Sequence, residues 1–493
     1  MEIHRNKLLA AVAAALSAGG MINAADAALV PTGVTPFAGD SAAAVDLEVF
    51  MGGASAQDLV LGTVMNTSLC SPGTMSTFLD TGATTPGSSH RAFFCTVPAA
   101  NVPGWTRAYN VLFHKTSVGG SSGGIYPVAD ASAVAHMVVS SNCTGTASGS
   151  YGCTVGATGT NLRVSHAGLS DVEPSLFVGD NVPAGNSDIV PAQIDALTSA
   201  NSPKSTNALI FGIVVNNRLY TALQDGQGIP GLSDVASPSE ANMPSLSREF
   251  LNAATQSGGL AKWTEVRDVL GNTLTTAVDA NGDGVARVAP TNTNIVICRR
   301  VKGSGTQAQF NLLVANAPCD VEQAYPRATG ALAGPTVVLN SSAGNVESCM
   351  LDAESKGQWA IGILSTERNK TNALPFRYVK LDGAAPTRVN AWNGTYWDWV
   401  EQSIQYHDSI AGTDRSDLVD KIAVELANDS PAFTYTWGQA GYMKTAGTPP
   451  NTAGSVAATP IMAYRRVKGG APRNCAVPTK AGLTGNVSLD TNY

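Results

Sequence analysis

The stretch NIVICRRVKGSGT, residues 294–306, passes from an apolar run into a turn of small residues. Residues 294–299 are typical of a strand, and the segment from the turn to about residue 315 is typical of a helix. Such a turn leaves the backbone N–H groups of the helix start free, and these donors form an anion site together with the helix dipole. Arg300 stands just before the turn, and its planar guanidinium suits a tetrahedral oxyanion.

The same order of strand and small-residue turn recurs earlier in the chain. Strands are predicted at residues 45–51, 109–113 and 162–167, each followed by a turn rich in Gly or Ser. Residues 208–215 form a continuous apolar run, which is typical of a strand buried on both faces. Strands that alternate with helices indicate an α/β fold with largely parallel sheets. The Thr/Gly/Ser/Pro-rich residues 71–104 are predicted as a loop, and residues 126–137 as a helix.

One of these turns ends in an acidic residue, Asp171. A carboxylate that faces an anion repels it unless the anion carries a proton. In that case the carboxylate accepts the hydrogen bond of that proton and rejects anions that are fully deprotonated. The turns therefore predict a site for a protonated oxyanion that is held mainly by uncharged donors.

The composition narrows the class of protein. The chain has 493 residues, a net charge of -7, 14% charged residues and 50 glycines. An acidic chain without a basic stripe is not expected to bind nucleic acid. The apolar content argues against disorder. The length fits two or three folded units or one two-lobed protein.

The N-terminus predicts export. Residues 1–27 have a basic start, a short apolar run and an Ala-Asp-Ala cleavage site, as a signal peptide does. No cysteine follows that run, so no lipid anchor is expected, and no later run is long enough to span a membrane. The expected location is the periplasm or the outside of the cell.

Eight cysteines fit an oxidising compartment, and the even count predicts four disulfides. Cys143 with Cys153 and Cys70 with Cys95 are the expected local pairs. The sequence does not choose among the three pairings of the other four, which are Cys298, Cys319, Cys349 and Cys475.

The order of the turns resembles that of the periplasmic phosphate-binding proteins of ABC transporters, which have the type II periplasmic-binding-protein fold. The resemblance runs from about residue 46 to 400 and is most specific at residues 299–306. It implies a two-lobed α/β fold with crossover hinge strands and insertions. One lobe would be residues 43–210, completed by 395–493, and the other would be residues 217–390.

The resemblance also implies a ligand and a set of ligand-binding residues. The ligand would be inorganic phosphate or a related oxyanion, Asp171 would accept its proton, and Arg300 would supply positive charge. The protein would be a monomer without cofactor or catalytic activity, and an ABC permease would be a further partner. The residues expected to bind the anion are Ser55, Ala56, Ser121, Asp171, Arg300, Ser304, Gly305 and Thr306.

The chain departs from this family in three places. Lys302 stands where the well-known members carry an Asp that pairs with the binding Arg, which leaves the exact anion open. Residues 71–104 and 141–160 are insertions, and the tail after 430 matches no part of the family. These insertions and the low charge content leave open a secreted structural or surface protein that retains the binding fold.

Two other patterns carry alternative chemistry. Residues 119–123 satisfy the G-x-S-x-G pattern of a serine hydrolase, in which Ser121, an intervening Asp and His407 would form a triad. Asp279, Asn281 and Asp283 match the first half of a calcium loop, but Pro290 stands at the twelfth position, where that loop needs a Glu. A tight surface turn explains the second pattern better than a calcium loop does.

Overall fold

A computed structural model describes residues 27–428 except 83–85, 88, 156–158, 199–202, 231–234, 236–238, 257–258, 315–334 and 370–371. It also describes five short segments of the tail, at 442–443, 464–468, 471–472, 474–475 and 479–480. The predicted signal peptide, apart from Ala27, and most of the tail lie outside these residues. Among the described helices, none has the length and apolarity that a membrane crossing requires.

The fold is mixed α/β, as the sequence predicts, and one 14-stranded sheet runs through it. The first part of the chain forms the helices α1 (Asp58–Val64), α2 (Tyr126–Ala129) and α3 (Pro191–Thr198). Its strands are β1 (Leu29–Pro31), β2 (Ser41–Ala43), β3 (Leu47–Gly53), β4 (Ser76–Asp80), β5 (His90–Val97), β6 (Tyr109–Thr116), β7 (Ala133–Met137), β8 (Cys143–Ala147), β9 (Ser150–Cys153), β10 (Thr160–Val164) and β11 (Ala167–Ser170).

The remainder of the chain adds the helices α4 (Asn217–Gly226), α5 (Arg248–Thr255), α6 (Gly305–Leu313), α7 (Ala343–Ser355), α8 (Arg388–Asn393) and α9 (Asp414–Asn428). Its longer strands are β12 (Lys204–Asn216), β14 (Val296–Arg300), β15 (Thr336–Asn340), β16 (Ala360–Ser365), β17 (Phe376–Tyr378) and β19 (Trp399–Tyr406). Its two-residue strands are β13 (Ser245–Leu246), β18 (Lys380–Leu381), β20 (Tyr442–Met443), β21 (Tyr464–Arg465), β22 (Val467–Lys468), β23 (Ala471–Pro472) and β24 (Thr479–Lys480). Helices α5 to α8 each begin after a Ser or Thr whose side chain accepts a backbone N–H, the usual start signal.

The sheet has two halves, which meet at β12 and β19. In the first half β11, β3 and β6 are parallel neighbours, and in the second half β15, β14 and β16 are parallel neighbours. The thirteen-residue strand β12 pairs with β19 from Lys204 to Ile210 and with β16 from Phe211 to Val215. One strand therefore belongs to both halves, and it includes residues 208–215, which were predicted as a strand buried on both faces.

Each half has its own apolar core, and β12 contributes to both. Leu209 and Phe211 pack in the core of the first half, whereas Ala208 and Ile210 pack in that of the second. This alternation follows from the two-residue period of a strand, which sends neighbouring side chains to opposite faces. The predicted lobe boundaries at 43–210, 217–390 and 395–493 stay a prediction.

Two local predictions were wrong. Residues 71–104 are not a loop throughout, because they contain β4 and β5, which extend the sheet beyond β6 by antiparallel pairing. Residues 126–137 are not one helix: α2 ends at Ala129, Ala131 has a left-handed backbone with φ of 47°, and β7 follows. Strand β7 forms instead because it pairs along its whole length with β10.

The disulfides agree with the predicted local pairs. Cys70 is bonded to Cys95, and Cys143 is bonded to Cys153 across the β8–β9 hairpin of the second insertion. Of the four cysteines left open, Cys298 on β14 is bonded to Cys349 on α7. Cys319 lies outside the described residues, and the fourth disulfide stays a prediction.

Candidate anion-binding site

Three predicted turns lie at one edge of the first half of the sheet. Because β11, β3 and β6 are parallel, their carboxyl ends share that edge. The turns touch through the backbone: Ala54 N–H donates to the Leu169 carbonyl at 2.9 Å. A Cβ at Gly168 would stand 1.7 Å from the carbonyl oxygen of Gly124, so only glycine allows this approach.

The second half contributes the turn at residues 300–306. Strand β14 ends at Arg300, and α6 begins after Ser304, whose hydroxyl accepts the N–H of Gln307 at 3.4 Å. Gly303 has a φ of +88°, a backbone conformation that side chains rarely adopt. Ser304 and Thr306 are both buried. The N-terminus of a nine-residue helix therefore lies beside the end of β14, as predicted.

The turns of the two halves meet directly. Ser122 N–H donates to the Gly303 carbonyl at 2.9 Å, and the hydroxyl of Ser121 accepts the N–H of Asp171 at 3.0 Å. Gly305 is so close to both that a Cβ there would stand 2.2 Å from Ser121 Oγ and 2.7 Å from Asp171 Cβ. The structure thus brings together Ser121, Asp171, Ser304 and Gly305 from segments far apart in the chain.

The charged pair of the site is Arg300 and Asp171, and both residues are buried. Burial raises the pKa of Asp171 to about 6, against the opposing influence of Arg300. Burial lowers the pKa of Arg300 to about 10, while Asp171 opposes that shift. At neutral pH the site therefore holds an arginine cation and a carboxylate, and each opposes the effect of burial on the pKa of the other.

Arg300 keeps donor capacity for a ligand. Its Nη2 donates to the Ser341 carbonyl at 3.2 Å, and among the described residues its buried Nε has no hydrogen-bond partner. Buried donors are nearly always bonded, so an unpartnered guanidinium nitrogen indicates where an acceptor belongs. A tetrahedral oxyanion would supply acceptors at this position.

Ser55 and Ala56 occupy the first turn after β3, within the one-turn helix Ser55–Gln57. That turn adjoins the Asp171 turn through the Ala54–Leu169 hydrogen bond, so both residues lie at the same sheet edge as Ser121 and Asp171. Thr306 lies in the first turn of α6. All eight predicted residues are therefore at the ends of strands or the start of a helix, where the turns of the two halves meet.

The substitution Gly305→Ala tests the close approach of the two halves. The new Cβ would overlap Ser121 and Asp171, so the halves would have to separate by several tenths of an ångström. We expect binding of a phosphate probe to weaken by about tenfold or more, measured by isothermal titration calorimetry. Gly82→Ala is the matched control, since its Cβ would meet only the Val155 carbonyl oxygen at 3.4 Å. Equal affinities in the two variants would contradict the close approach.

Sequence reasoning missed Gln402, which lies on β19. Its Nε2 donates to Asp171 Oδ1 at 2.9 Å, and its Oε1 accepts from Gln57. The separation from Asp171 is 231 residues, and no local motif marks a glutamine for this role. This amide supports the charged form of Asp171, the form that accepts a proton from a ligand.

Lys302, the departure from the family pattern, points to a different partner. Its Nζ lies 2.8 Å from Asp180 Oδ1, and Arg299 lies 3.6 Å from the other oxygen of the same carboxylate. Asp180 thus pairs with both cations that flank Arg300 in the sequence, and its single negative charge is shared between them.

The geometry does not assemble the hydrolase triad. A nucleophile elbow needs a serine with a strained backbone. Ser121 lies instead in the short helix Gly120–Gly124, and it is not one of the described non-glycine residues with a positive φ. His407 pairs with the hydroxyl of Ser409 at 3.0 Å. It follows Gln402 by five positions along β19, about 17 Å of strand, so it lies far from Ser121.

The calcium-like segment forms a tight turn. Asp279 accepts backbone N–H groups from Gly282, Asp283 and Gly284 at 2.7, 3.1 and 2.8 Å. Its carboxylate is therefore used inside the turn itself. Within the described ranges, no group of three or more His, Cys, Asp or Glu side chains is arranged to hold a metal ion.

Comparison with known proteins identifies distant neighbours by structure. No protein-family model and no curated protein matches the chain. A Clostridium perfringens protein classed as a phosphate ABC transporter substrate-binding protein, solved with bound phosphate, is 13% identical. The match covers 76% of this chain and 92% of that one, with a TM-score of 0.38. An ABC-type phosphate transport receptor from Vibrio cholerae is 12% identical, with 77% and 97% covered and a TM-score of 0.36. The function proposed below rests on the site's own geometry.

Proposed function

We propose that this chain is an exported solute-binding protein that holds phosphate, or a similar protonated tetrahedral oxyanion, between the two halves of its sheet. The observation that carries the proposal is the buried pair of Arg300 and Asp171, which lies beside the N-terminus of α6. The arginine cation and the helix start attract an anion, and the carboxylate selects one that still carries a proton. No covalent step is required, so the protein would not be an enzyme.

The neighbouring donors explain how a strongly hydrated anion could be bound. Ser121, Ser304 and Thr306 are buried and offer hydroxyl or backbone N–H donors. Uncharged donors fixed by the fold replace water without a further desolvated charge. Because the net charge of the protein is -7, attraction of an anion would depend on this local arrangement.

The wider role would be uptake or scavenging after export, with an ABC permease as the partner that receives the ligand. A secreted structural or surface protein is the second candidate. The observation that favours it is the disulfide-bonded β8–β9 hairpin, which extends the edge of the sheet by parallel pairing of β9 with β4. A structural protein would need no anion, so titration separates the two candidates.

Calorimetric titration of ligand-stripped protein with phosphate and with sulfate tests the proposal. We expect phosphate to bind and sulfate to bind much more weakly, because Asp171 would repel an anion without a proton. Asp171→Asn should reduce the preference for phosphate by at least about tenfold, since its amide can donate to sulfate.

Asp180→Asn is the matched control for this titration, because Asp180 pairs with Arg299 and Lys302 instead of Arg300. That variant should keep the preference for phosphate. Absence of both heat and a thermal shift with phosphate in the unmodified protein would rule out the proposed function. It would leave the structural candidate.

A further inference from the structure

A second pair of charged residues, Glu367 and Arg368, lies at the same sheet edge as Arg300. They follow β16, which is parallel to β14, so the two strands deliver them to the same side as Arg300. Thr366 N–H donates to the Ile210 carbonyl at 2.9 Å and fixes this segment onto β12. Neither residue belongs to the small-residue turns that define the site in sequence.

Only one of the two carboxyl oxygens of Glu367 has a hydrogen-bond partner among the described residues. Its Oε1 accepts the hydroxyl of Ser365 at 2.7 Å. Its Oε2 is sealed from solvent and has no hydrogen-bond partner among the described residues. Since buried polar atoms are nearly always paired, this oxygen indicates either a bound proton or a ligand atom.

The charges around Glu367 connect it to the anion site. Arg368 follows Glu367 directly, and its positive charge contributes to lowering the pKa of Arg300. The Nε of Arg368 also lies 3.5 Å from Oε1 of Glu347 on α7. The negative charge of Asp171, which follows β11 in the first half of the sheet, contributes to raising the pKa of Glu367. Burial raises the pKa of Glu367 to about 7, and Arg368 opposes that rise. The carboxyl group therefore changes its charge near neutral pH.

We infer that Glu367 is a specificity-determining residue of the anion site, whose protonated carboxyl donates a hydrogen bond to the bound oxyanion and whose carboxylate form repels it. The inference rests on the proposed function. Asp171 and Glu367 then have opposite roles: Asp171 accepts a hydrogen bond from the ligand, and Glu367 donates one to it. Together they favour the more protonated form of phosphate, so affinity should fall as the pH rises through neutrality.

Titration of phosphate into the unmodified protein and Glu367→Gln, from pH 6 to pH 8, tests the inference. The amide of Gln donates at every pH, whereas the Glu367 carboxyl loses its proton. The ratio of the two affinities cancels the titration of free phosphate, which is the same in both experiments. It should change by about tenfold between these pH values if only the protonated carboxyl supports binding. Glu347→Gln, which removes the other carboxylate facing Arg368, is the control and should follow the unmodified protein.

The outcomes separate the two proposals. A ratio that stays constant while both proteins bind phosphate would overturn the role of Glu367 and leave the proposed function standing. Failure of the unmodified protein to bind phosphate would overturn both. If Glu367→Gln does not fold, the Asp171→Asn variant with sulfate replaces it, because sulfate has no proton to lose in this range. Its affinity should then fall about tenfold from pH 6 to pH 8, and a flat profile would contradict the inference.

Discussion

Arg300→Ala is expected to weaken phosphate binding by at least about 100-fold. Hydrogen bonds to a charged group contribute about 1.5–3 kcal/mol each, and the loss of two of them reaches a factor of 100 or more. Removal of the guanidinium also leaves Asp171 buried without its compensating cation, which raises the pKa of that carboxyl further. Calorimetric titration with phosphate at pH 7.5 would measure the loss.

The adjacent arginine provides the control for this variant. Arg299 is equally buried, but its guanidinium lies 3.6 Å from Asp180 and serves that carboxylate. Arg299→Ala should keep phosphate affinity within about threefold of the unmodified protein, as expected for a residue outside the site. Similar losses in the two variants would show that Arg300 has no special part in binding.

Lys115→Met is expected to lower the free energy of unfolding by about 3 kcal/mol, because it breaks a buried ion pair from one side. The Lys115 ammonium is fully buried, lies 3.3 Å from Asp58, and donates to the Gly53 carbonyl at 2.9 Å and the Ser117 hydroxyl at 3.0 Å. Methionine fills similar space but supplies no donor, so the carbonyl at the end of β3 loses its partner. Urea unfolding followed by circular dichroism would measure the change.

Lys356→Met is the matched control. Lys356 pairs with Asp352 four residues earlier on α7, and its side chain is 59% exposed. Exposed pairs of this kind contribute little, so we expect a loss below about 0.5 kcal/mol. Equal losses of unfolding free energy at the two positions would mean that the buried contacts of Lys115 with Asp58, Gly53 and Ser117 do not stabilise the fold.

The strand–turn–helix units could be predicted because their signals are local. Glycines that permit close backbone approach, such as Gly168 and Gly303, stand directly beside the residues that they position. The order of these turns along the chain was enough to predict that Ser121, Asp171 and Arg300 each follow a strand at a turn. Apolar runs marked the crossover strand for the same reason, since burial on both faces leaves a continuous pattern.

The remaining features depend on contacts between distant parts of the chain. Gln402 reaches Asp171 only because β19 is antiparallel to β11. Strands β4 and β5 lie in a segment whose Gly, Ser, Thr and Pro content indicates a loop, and their pairing on the edge of β6 overrides that composition. Glu367 gives no sequence signal at all, because its significance depends on an oxygen that the fold buries without a partner.

Strand β12 changes its pairing partner between Ile210 and Phe211, from β19 to β16. The first part of this strand is therefore fixed to the half that contains Asp171, and its second part is fixed to the half that contains Arg300. A rotation of one half can be taken up as twist along β12 while its hydrogen bonds to β19 and β16 stay intact. Bringing the two sides of the site together would deform the backbone of β12 near Phe211, so we expect the affinity for an anion to depend also on a strand outside the predicted site residues.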